Sequence, residues 1–537
     1  MRKHLYLIIV LIFLFSSQSI FAQNTDTPIA DSLAALPVEV EEPYPPMREF
    51  RGVWIASVNN IDFPSSANLS VKDQKEQWIE LLDYFQEMGF NAIIAQIRPA
   101  ADAFYPSKLA PWSKSLTGKQ GRVPEKDYDP LDFMLKETHK RGMEFHAWLN
   151  PLRASLNMDI NQLAKTHPIH TRPDWMIPYA GRYYFNPGLP EVRDYLTEVV
   201  GEILMSYDVD AIHFDDYFYP YKKDGLEFPD SVSFAKHGFG YFYVKDWRRS
   251  NVDKMIEQIS GKIKALSPHV KFGISPFGVW RNSNMDPVNG SFTSAGQTSY
   301  DDLNADILKW LESEWIDYVA PQLYWNIGFQ PADYQVLLDW WSSRTYGKHL
   351  YIGHAAYKVG KDKQPAWSER GEMGKQIQMN RDSQLVLGSI HFNAKAIRAN
   401  PLGLADTLAA YYASPALIPP MAYLEMPVPL RPQLGKVKAK KGNVKLEWSI
   451  PDAGSRPAYT AIYRFNSYKP DNFDNGENLL AVVPWTGEDS QTFIDETAIA
   501  GQTYTYVIAS SNRVHVESDL SNTRTIKKTT AKFRRVR

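Results

Sequence analysis

The sequence predicts an α/β fold, in which a (β/α)8 barrel is followed by a small all-β sandwich. From Glu49 onward, short apolar runs rich in β-branched and aromatic residues alternate with longer amphipathic stretches. Eight such runs occur, and eight strands that alternate with helices are typical of a closed barrel. Near the carboxyl end the hydrophobic period changes to two, without helical stretches between the runs, which predicts the sandwich. An open doubly wound sheet is the alternative for the larger part, although no glycine-rich phosphate loop follows the first run.

Each predicted element follows from its local pattern. The predicted strands cover residues 50–58, 90–99, 144–151, 209–217, 270–278, 315–325, 349–357 and 386–394. The helical period predicts helices over residues 71–88, 130–141, 191–207, 246–266, 301–311, 331–341 and 371–381. Gly89 and Gly142 directly follow the first two helices and are predicted to terminate them.

The chain ends and the connection between the two folded parts have distinct compositions. The amino terminus combines a positive start, a short apolar stretch and a small-residue end, which predicts a signal peptide and export to the periplasm or the exterior. The apolar stretch is too short to favour a spanning helix, so no integral membrane segment is expected after signal removal. The predicted signal peptide covers residues 1–22 and a flexible lead covers 23–48. The barrel covers 49–412, a proline-rich linker 413–433 and the sandwich 434–527. A disordered basic tail is predicted over 528–537.

Composition excludes several classes of function. The formal net charge of the 537 residues is -2, so the sequence offers no basic face for nucleic acid. The absence of cysteine excludes disulfides, thiolate catalysis and cysteine-ligated metal. The 15 tryptophans and 30 tyrosines suffice for a large core and for aromatic platforms that hold carbohydrate.

The stretch VDAIHFDDYFYP, residues 209–220, is the centre of the predicted site. An apolar strand runs into two adjacent carboxylates and then into aromatic rings, which predicts a strand that opens into a cleft. Alternation along the strand places His213 and Asp215 inward and Asp216 at the rim. The structural alternative is that one aspartate caps the following turn and the other pairs with an arginine.

Glycoside hydrolysis usually needs two carboxyl groups at the carboxyl-terminal mouth of a barrel. Asp215 and Asp216 are the first candidates, and Asp102, after the second strand, is the leading partner. Asp301 is an alternative partner, although its segment also has the pattern of a helix N-cap. Asp317 lies near the start of the sixth strand, at the wrong end, and is predicted to be structural. Schemes that use tyrosine, histidine or the substrate itself as nucleophile remain open.

Polar and aromatic side chains at the other strand ends predict binding of sugar hydroxyls and ring faces. The substrate-binding candidates are Arg98, His146, Trp148, Asn150, His213, Tyr219, Trp280, Gln322, Tyr324, Trp325 and His391. No metal and no other cofactor is expected, because the first strand lacks the paired histidines of metal-dependent hydrolase barrels. His213 is instead predicted to orient Asp215 or a substrate hydroxyl.

Long ordered motifs between about residues 49 and 400 resemble the bacterial glycosyl-hydrolase-like family 10. They read FRGVWIASVNNIDFPS, QIRPAADAFYPSKLAPWSKSLTGKQG, HAWLNPLR, HFDDYFYP, DWRRSNV, FGISPFGVWRN and DYVAPQLYW. The resemblance implies a TIM barrel and exported enzymes that act on peptidoglycan glycan strands. Its acidic motif falls on Asp215 and Asp216. Its arginine–aspartate loop and amide–aromatic segment fall on Arg98, Asp102, Gln322, Tyr324 and Trp325. Residues 431–527 resemble a fibronectin type III domain.

These observations together predict an exported glycosidase that cleaves bacterial polysaccharide, peptidoglycan glycan strands in the first place. A non-catalytic carbohydrate-binding protein on a barrel scaffold is the main alternative, and a metal-dependent deacetylase or amidase is the third. The expected partner is a polysaccharide, not nucleic acid, and the sandwich offers a surface for contacts with cell-envelope proteins.

Overall fold

The computed structural model describes residues 44–440, 443–451, 457–499, 501–528 and 533–535. The predicted signal peptide and most of the predicted flexible lead lie outside the described residues. The last part of that lead is ordered, because Met47 is buried and Arg48 forms a β-bridge with Leu417.

Eight parallel strands close into a barrel, as the sequence predicts. They are β1 to β8, at Phe50–Ile55, Ala92–Arg98, Glu144–Leu149, Ala211–Phe214, Lys271–Ile274, Tyr318–Val319, His349–His354 and Val386–His391. Closure is visible in the register of β1, where Val53 lies opposite Ile93 of β2 and His391 of β8. The carboxyl ends of all eight strands therefore meet at one mouth.

Helices cover the outside of the barrel. The longer ones span Val71–Glu87, Pro130–Lys140, Pro190–Ser206, Val244–Leu266, Tyr334–Ser342 and Glu372–Asp382. Shorter ones span Lys114–Thr117, Pro168–Thr171, Ser231–His237, Ile307–Glu312, Ala394–Arg398 and Leu404–Tyr411. Gly89 and Gly142 follow the first two long helices with φ of 82° and 71°, which confirms the predicted terminations.

One predicted helix begins later than the sequence pattern suggests. The helix expected over 301–311 starts at Ile307, with Asp306 as its N-cap, so the cap predicted around Asp301 is wrong. The carboxylate of Asp301 instead accepts a 2.9 Å hydrogen bond from Arg281 Nε. A hairpin of Met176–Tyr179 and Arg182–Phe185, between β3 and β4, was not predicted.

The carboxyl-terminal part is a sandwich of two antiparallel sheets. Its strands, β9 to β16, are Gln433–Lys440, Asn443–Ser449, Tyr459–Phe465, Leu479–Pro484, Ser490–Asp495, Thr503–Ser511, Arg524–Lys528 and Phe533–Arg535. The sheet orders are β9-β10-β13 and β12-β11-β14-β15-β16. Trp448 is buried between the sheets, as expected for a core ring. Part of the tail predicted as disordered forms β16 and pairs with β15.

The barrel and the sandwich are joined by a packed segment and by buried ion pairs. Ile418, Met421 and Leu424, within the stretch predicted as a linker, are buried in a cluster with barrel residues. His515 of the sandwich lies 2.6 Å from the carboxylate of Glu144, the first residue of β3. Arg513 donates to Asp210 Oδ1 at 2.5 Å. These contacts fall at the amino ends of the strands, so the sandwich leaves the opposite, carboxyl-terminal mouth open.

Candidate active site

A pocket of about 460 Å³ lies at the carboxyl ends of the barrel strands. Strands β1 to β8 contribute to its wall directly or through the loops that follow them. The lining residues are Trp54, Val58, Asn59, Ile61, Gln96, Trp148, Arg153, Leu156, Arg182, Asp215, Asp216, Tyr217, Tyr221, Ser275, Gln322, Tyr324, Tyr357 and Phe392. Among the predicted site residues, the structure thus brings Asp215, Asp216, Trp148, Gln322 and Tyr324 together in one pocket.

Asp215 follows the last residue of β4 and is held by three donors. Its Oδ2 accepts hydrogen bonds from Trp148 Nε1, at 3.2 Å, and from Asn150 Nδ2, while its Oδ1 accepts from the backbone N–H of Tyr217 at 3.3 Å. Burial raises the pKa of Asp215, and the nearby guanidinium of Arg153 and the three donors oppose that rise. These hydrogen bonds and the guanidinium of Arg153 favour the ionised form of Asp215 over the protonated one.

Asp216 lines the same pocket but has a different environment. It is 2% exposed, and the hydroxyl of Tyr221 donates to its Oδ2. Burial and the neighbouring charge of Asp215 raise the pKa of Asp216 to about 7. A carboxyl group with such a pKa is protonated near neutral pH and can donate a proton. Asp215 was predicted to point inward and Asp216 to lie at the rim. In the structure both side chains are buried and line the same wall of the pocket.

A chain of amides positions the ionised carboxylate. Gln96, at the end of β2, accepts from the backbone N–H groups of Ser57 and Val58 at 3.0 and 2.8 Å through its Oε1. Its Nε2 donates to Asn150 Oδ1 at 2.6 Å, which leaves the Nδ2 of Asn150 to donate to Asp215. Asn150, predicted to bind substrate, does not line the pocket and instead contacts Asp215, so its role in the structure is to position that carboxylate. Gln96 falls within the second predicted strand and is not among the predicted site residues.

An apolar side of the pocket is formed by Phe392 and four rings around it, those of Trp54, Trp148, Tyr324 and Tyr357. Trp54 and Trp148 meet Phe392 edge-on, with centroid distances of 6.3 and 6.5 Å. Tyr324 stacks parallel to it at 6.3 Å. Such a cluster suits apolar parts of a sugar derivative. Trp54 and Phe392 were not predicted as site residues, because their patterns do not differ from those of core strand residues.

Two arginines beside the acid pair were also missed as site residues. Arg153 is 5% exposed, its guanidinium lies 4.3 Å from the centroid of the Tyr217 ring, and its Nε has no hydrogen-bond partner among the described residues. Arg182 is exposed and comes from the hairpin between β3 and β4. The HAWLNPLR motif contains Arg153 and gave a signal for it. No sequence pattern pointed to Arg182, because the hairpin that carries this residue was not predicted.

His146 and His213, predicted to bind substrate, lie in the layer beneath the pocket and do not line it. His213 Nε2 is 3.0 Å from Ser275 Oγ and accepts from Trp54 Nε1 at 3.2 Å, and burial holds its pKa well below the usual range. The ring therefore supports Trp54 and does not orient Asp215 as predicted. His146 contacts Tyr318 Oη at 2.7 Å and the carboxylate of Glu144 at 2.8 Å. Inward-pointing strand residues form stacked layers in a barrel, and these two occupy a lower layer.

Asp102 and Arg98 lie outside the pocket that holds the acid pair. Asp102 Oδ1 accepts from the backbone N–H of Ala100 at 3.1 Å, and burial raises its pKa. It lines a separate, much smaller cavity. Arg98 Nη1 donates to the carbonyl of Asn150 at 3.1 Å. Neither side chain lines the pocket. The carboxylate of Asp102 turns back onto the backbone of its own loop, and the guanidinium of Arg98 is held by the backbone after β3.

Four other predicted binding residues pack within the shell around the barrel. Tyr219 contacts Phe228, Trp280 stacks on Trp340, Trp325 contacts Phe277, and His391 lies 2.9 Å from Tyr412 Oη. Burial holds the pKa of His391 well below its usual range. Tyr219, Trp280 and Trp325 lie five or six residues beyond the ends of their strands, and these side chains contact residues of helices and loops.

The described residues include no group of three or more histidine, aspartate or glutamate side chains arranged to hold a metal ion. None of the helices in the described part of the chain is long and apolar enough to cross a membrane.

A barrel with a pocket at its mouth and a buried acid pair in that pocket is typical of glycoside hydrolases. Residues 49–369 match the model of the family described as glycosyl hydrolase-like 10. The glycosyl hydrolase YngK of Bacillus subtilis is 49% identical over 482 residues, covering 88% of this chain and 92% of its own. The glycosyl hydrolase DigH of Escherichia coli K12 is 38% identical over 414 residues, 73% of this chain and 92% of its own.

Among solved structures, the PgaB (BpsB) glycoside hydrolase domain of Bordetella bronchiseptica aligns with 67% of this chain and 98% of that chain. The TM-score is 0.46 and the identity is 14%. The family match and the relatives together show that this chain belongs to the glycosyl hydrolase-like 10 family and is a glycosidase.

Proposed function

We propose that this glycosidase cleaves bacterial polysaccharide by carboxylate chemistry, with peptidoglycan glycan strands as its substrate. The observation that carries the proposal is the pair of Asp215 and Asp216 on one wall of the pocket, where three donors hold Asp215 and the pKa of Asp216 is raised to about 7. In the proposed reaction Asp216 protonates the oxygen of the leaving sugar, and the negative charge of Asp215 stabilises the positive charge that develops at the anomeric carbon.

The surroundings of the pair support this division of roles. Asp215 accepts hydrogen bonds from two neutral side-chain donors and lies near Arg153, all of which favour its charged form. Asp216 accepts one side-chain hydrogen bond, from Tyr221, and the adjacent charge keeps its proton in place at neutral pH. A carboxyl group that keeps its proton beside one whose ionised form is favoured is an arrangement that glycosidases use for acid catalysis.

The charges of the pocket favour an acidic glycan. Arg153 and Arg182 line it together with the acid pair, and the charge of Arg153 acts on Asp215 while Arg182 is exposed to solvent. A glycan whose sugars carry carboxyl groups would supply the anion that these guanidinium groups bind. Peptidoglycan strands carry such groups, and the family resemblance in the motifs points to the same polymer.

We also propose export, with action in the periplasm or outside the cell, on the basis of the signal-like residues 1–22. For the sandwich we propose a fibronectin type III-like domain. Its division into a three-stranded sheet and a larger one built around β11 and β14 supports that type. Its role would be to hold the barrel near the cell envelope through contacts with envelope proteins.

The experiment uses the full chain and purified glycan strands, with release of reducing ends as the readout. Asp216→Asn is expected to lower kcat by about 10²–10⁴-fold, because it removes the proton donor. Asp301→Asn is the matched control, since that carboxylate pairs with Arg281 outside the pocket. Wild-type turnover in both Asp215→Asn and Asp216→Asn would remove the pair from catalysis. A parent enzyme that cleaves other polysaccharides but not these strands would overturn the substrate assignment.

A further inference from the structure

The acid pair has an unusual placement for a two-carboxylate glycosidase. Direct displacement requires the two carboxyl groups to flank the sugar, about 5–5.5 Å apart for retention or about 6.5–9.5 Å for inversion. Asp215 and Asp216 are consecutive residues at the end of β4, and they are the only carboxylates among the described residues that line the pocket. Both therefore approach a bound sugar from the same wall.

The facing wall provides no carboxylate among its described lining residues. It is formed by the ends of β6 to β8 and their loops, which contribute Gln322, Tyr324, Tyr357 and Phe392. Amide, phenol and phenyl groups of this kind do not supply the carboxylate nucleophile or base of the usual two-acid schemes.

The other aspartates near the mouth are already engaged. Both carboxylate oxygens of Asp62 accept backbone hydrogen bonds, from Ala56 at 2.8 Å and Lys395 at 2.7 Å. Asp102 lines a separate small cavity, and Asp301 pairs with Arg281. Among the described lining residues, the pocket thus has the acid pair on one wall and no carboxylate on the facing wall.

We propose that the missing nucleophile is the carbonyl oxygen of a 2-acetamido group on the substrate, and that Asp215 holds the N–H of that group. This inference rests on the proposed function and names its substrate class as 2-acetamido sugars. Oδ1 of Asp215 accepts a single long backbone hydrogen bond, so it has capacity for an amide N–H. Trp148 donates to the same carboxylate and belongs to the apolar cluster around Phe392, which is the surface that an acetamide methyl requires.

The proposed steps balance without a further reactant. The amide oxygen attacks the anomeric carbon as the bond to the leaving oxygen breaks, and Asp216 gives its proton to that oxygen. The product is a bicyclic oxazolinium ion, whose N–H is stabilised by the Asp215 carboxylate. Asp216, now ionised, takes a proton from water, whose oxygen attacks the anomeric carbon and reopens the ring. The sugar leaves with its original anomeric configuration and an intact acetamide.

The first test varies the substrate alone. Purified glycan strands are N-deacetylated and then reacylated with either acetyl or trifluoroacetyl groups, so that chain length and linkage are matched. Fluorine withdraws electron density from the amide oxygen, so the trifluoroacetyl strands are expected to lose most of their cleavage rate while the reacetylated strands regain theirs. Equal rates on the two materials, or an inverted anomeric product by NMR, would overturn the inference and leave the proposed function intact.

The second test separates the two roles that Asp215 can have. Asp215→Ala is expected to lose about 10²–10³-fold in kcat, and added azide is expected to restore nothing, because the nucleophile remains on the substrate. Rescue by azide, with a glycosyl azide of inverted configuration, would show that Asp215 is itself the nucleophile. Asp301→Ala, with its carboxylate outside the pocket, controls for effects of the substitution and of azide. If the parent enzyme cleaves none of the glycans, the proposed function fails and this inference falls with it.

Discussion

The indole Nε1 of Trp148 donates a 3.2 Å hydrogen bond to Oδ2 of Asp215. This contact joins β3 to the end of β4 and connects the aromatic side of the pocket to its charged carboxylate. The ring and the acid therefore act as one unit, in which a change to the indole also alters the carboxylate.

Trp148→Phe keeps a ring in the pocket and removes this donor. A hydrogen bond to a charged group contributes about 1.5–3 kcal/mol, so kcat/KM on glycan strands is expected to fall by about 10- to 100-fold. Trp340→Phe is the matched control, because its indole donates to the carbonyl of Asn289 at 2.8 Å, away from the pocket. The proposed role of the indole would be wrong if both variants had parent kinetics.

Tyr221→Phe is expected to move the alkaline limb of the pH–rate profile upward. Asp216 works as an acid only while protonated, so kcat/KM of the parent should fall as the pH rises through about 7. The hydrogen bond from Tyr221 favours the ionised form and lowers the pKa of Asp216, so its removal raises that pKa. Tyr357→Phe, which also lines the pocket, should leave the limb in place. A downward shift in Tyr221→Phe would contradict the assignment of Asp216 as the acid.

Asp216→Asn is expected to stabilise the fold at alkaline pH. Burial raises the pKa of Asp216 from 3.8 to about 7, so the folded state keeps a proton that the unfolded chain releases. This stabilising contribution is complete below about pH 4 and is lost as the pH rises through about 7. At pH 8 the variant should gain about 4 kcal/mol in free energy of unfolding, with little difference at pH 4. Denaturant titrations at both pH values provide the measurement, and Asp301→Asn should show no such gain.

Arg182→Gln is expected to weaken the binding of acidic glycans. The exposed guanidinium contributes up to about 1 kcal/mol to an ion pair, so KM for strands with free carboxyl groups should rise by up to about fivefold. Neutral chitin oligosaccharides provide the comparison substrate and should keep their KM. Lys222→Gln is the control, because Lys222 is exposed, does not line the pocket and pairs with Asp302. Equal effects of the two variants on acidic strands would argue against recognition by Arg182.

Arg513→Met tests the junction between the barrel and the sandwich. Arg513 pairs with Asp208 and with buried Asp210, so its removal leaves an incompletely compensated carboxylate and should cost about 3–5 kcal/mol in free energy of unfolding. Arg524→Met, which removes hydrogen bonds to backbone carbonyls within the sandwich, should cost about 0.5 kcal/mol or less. Below the unfolding transition kcat should be unchanged, because the junction lies at the end of the barrel opposite the pocket.

The sequence by itself determined the elements and their order. Hydrophobic periods of 3.6 and two are local properties, so the eight barrel strands, the long helices and the sandwich could be predicted from short windows. The rule that barrel sites lie at the carboxyl ends of strands then selected Asp215, Asp216, Trp148, Gln322 and Tyr324, all of which line the pocket.

Only the tertiary structure decided which strand-end side chains face the pocket and what protonation they have. His146 and His213 have the same alternation as Asp215 but occupy a lower layer of the barrel, where their partners come from β1, β5 and β6. The raised pKa of Asp216 depends on burial by distant segments, and Arg182 reaches the mouth through a hairpin without a strong sequence signal. Such properties arise from contacts between residues far apart in the chain, and a local pattern does not contain them.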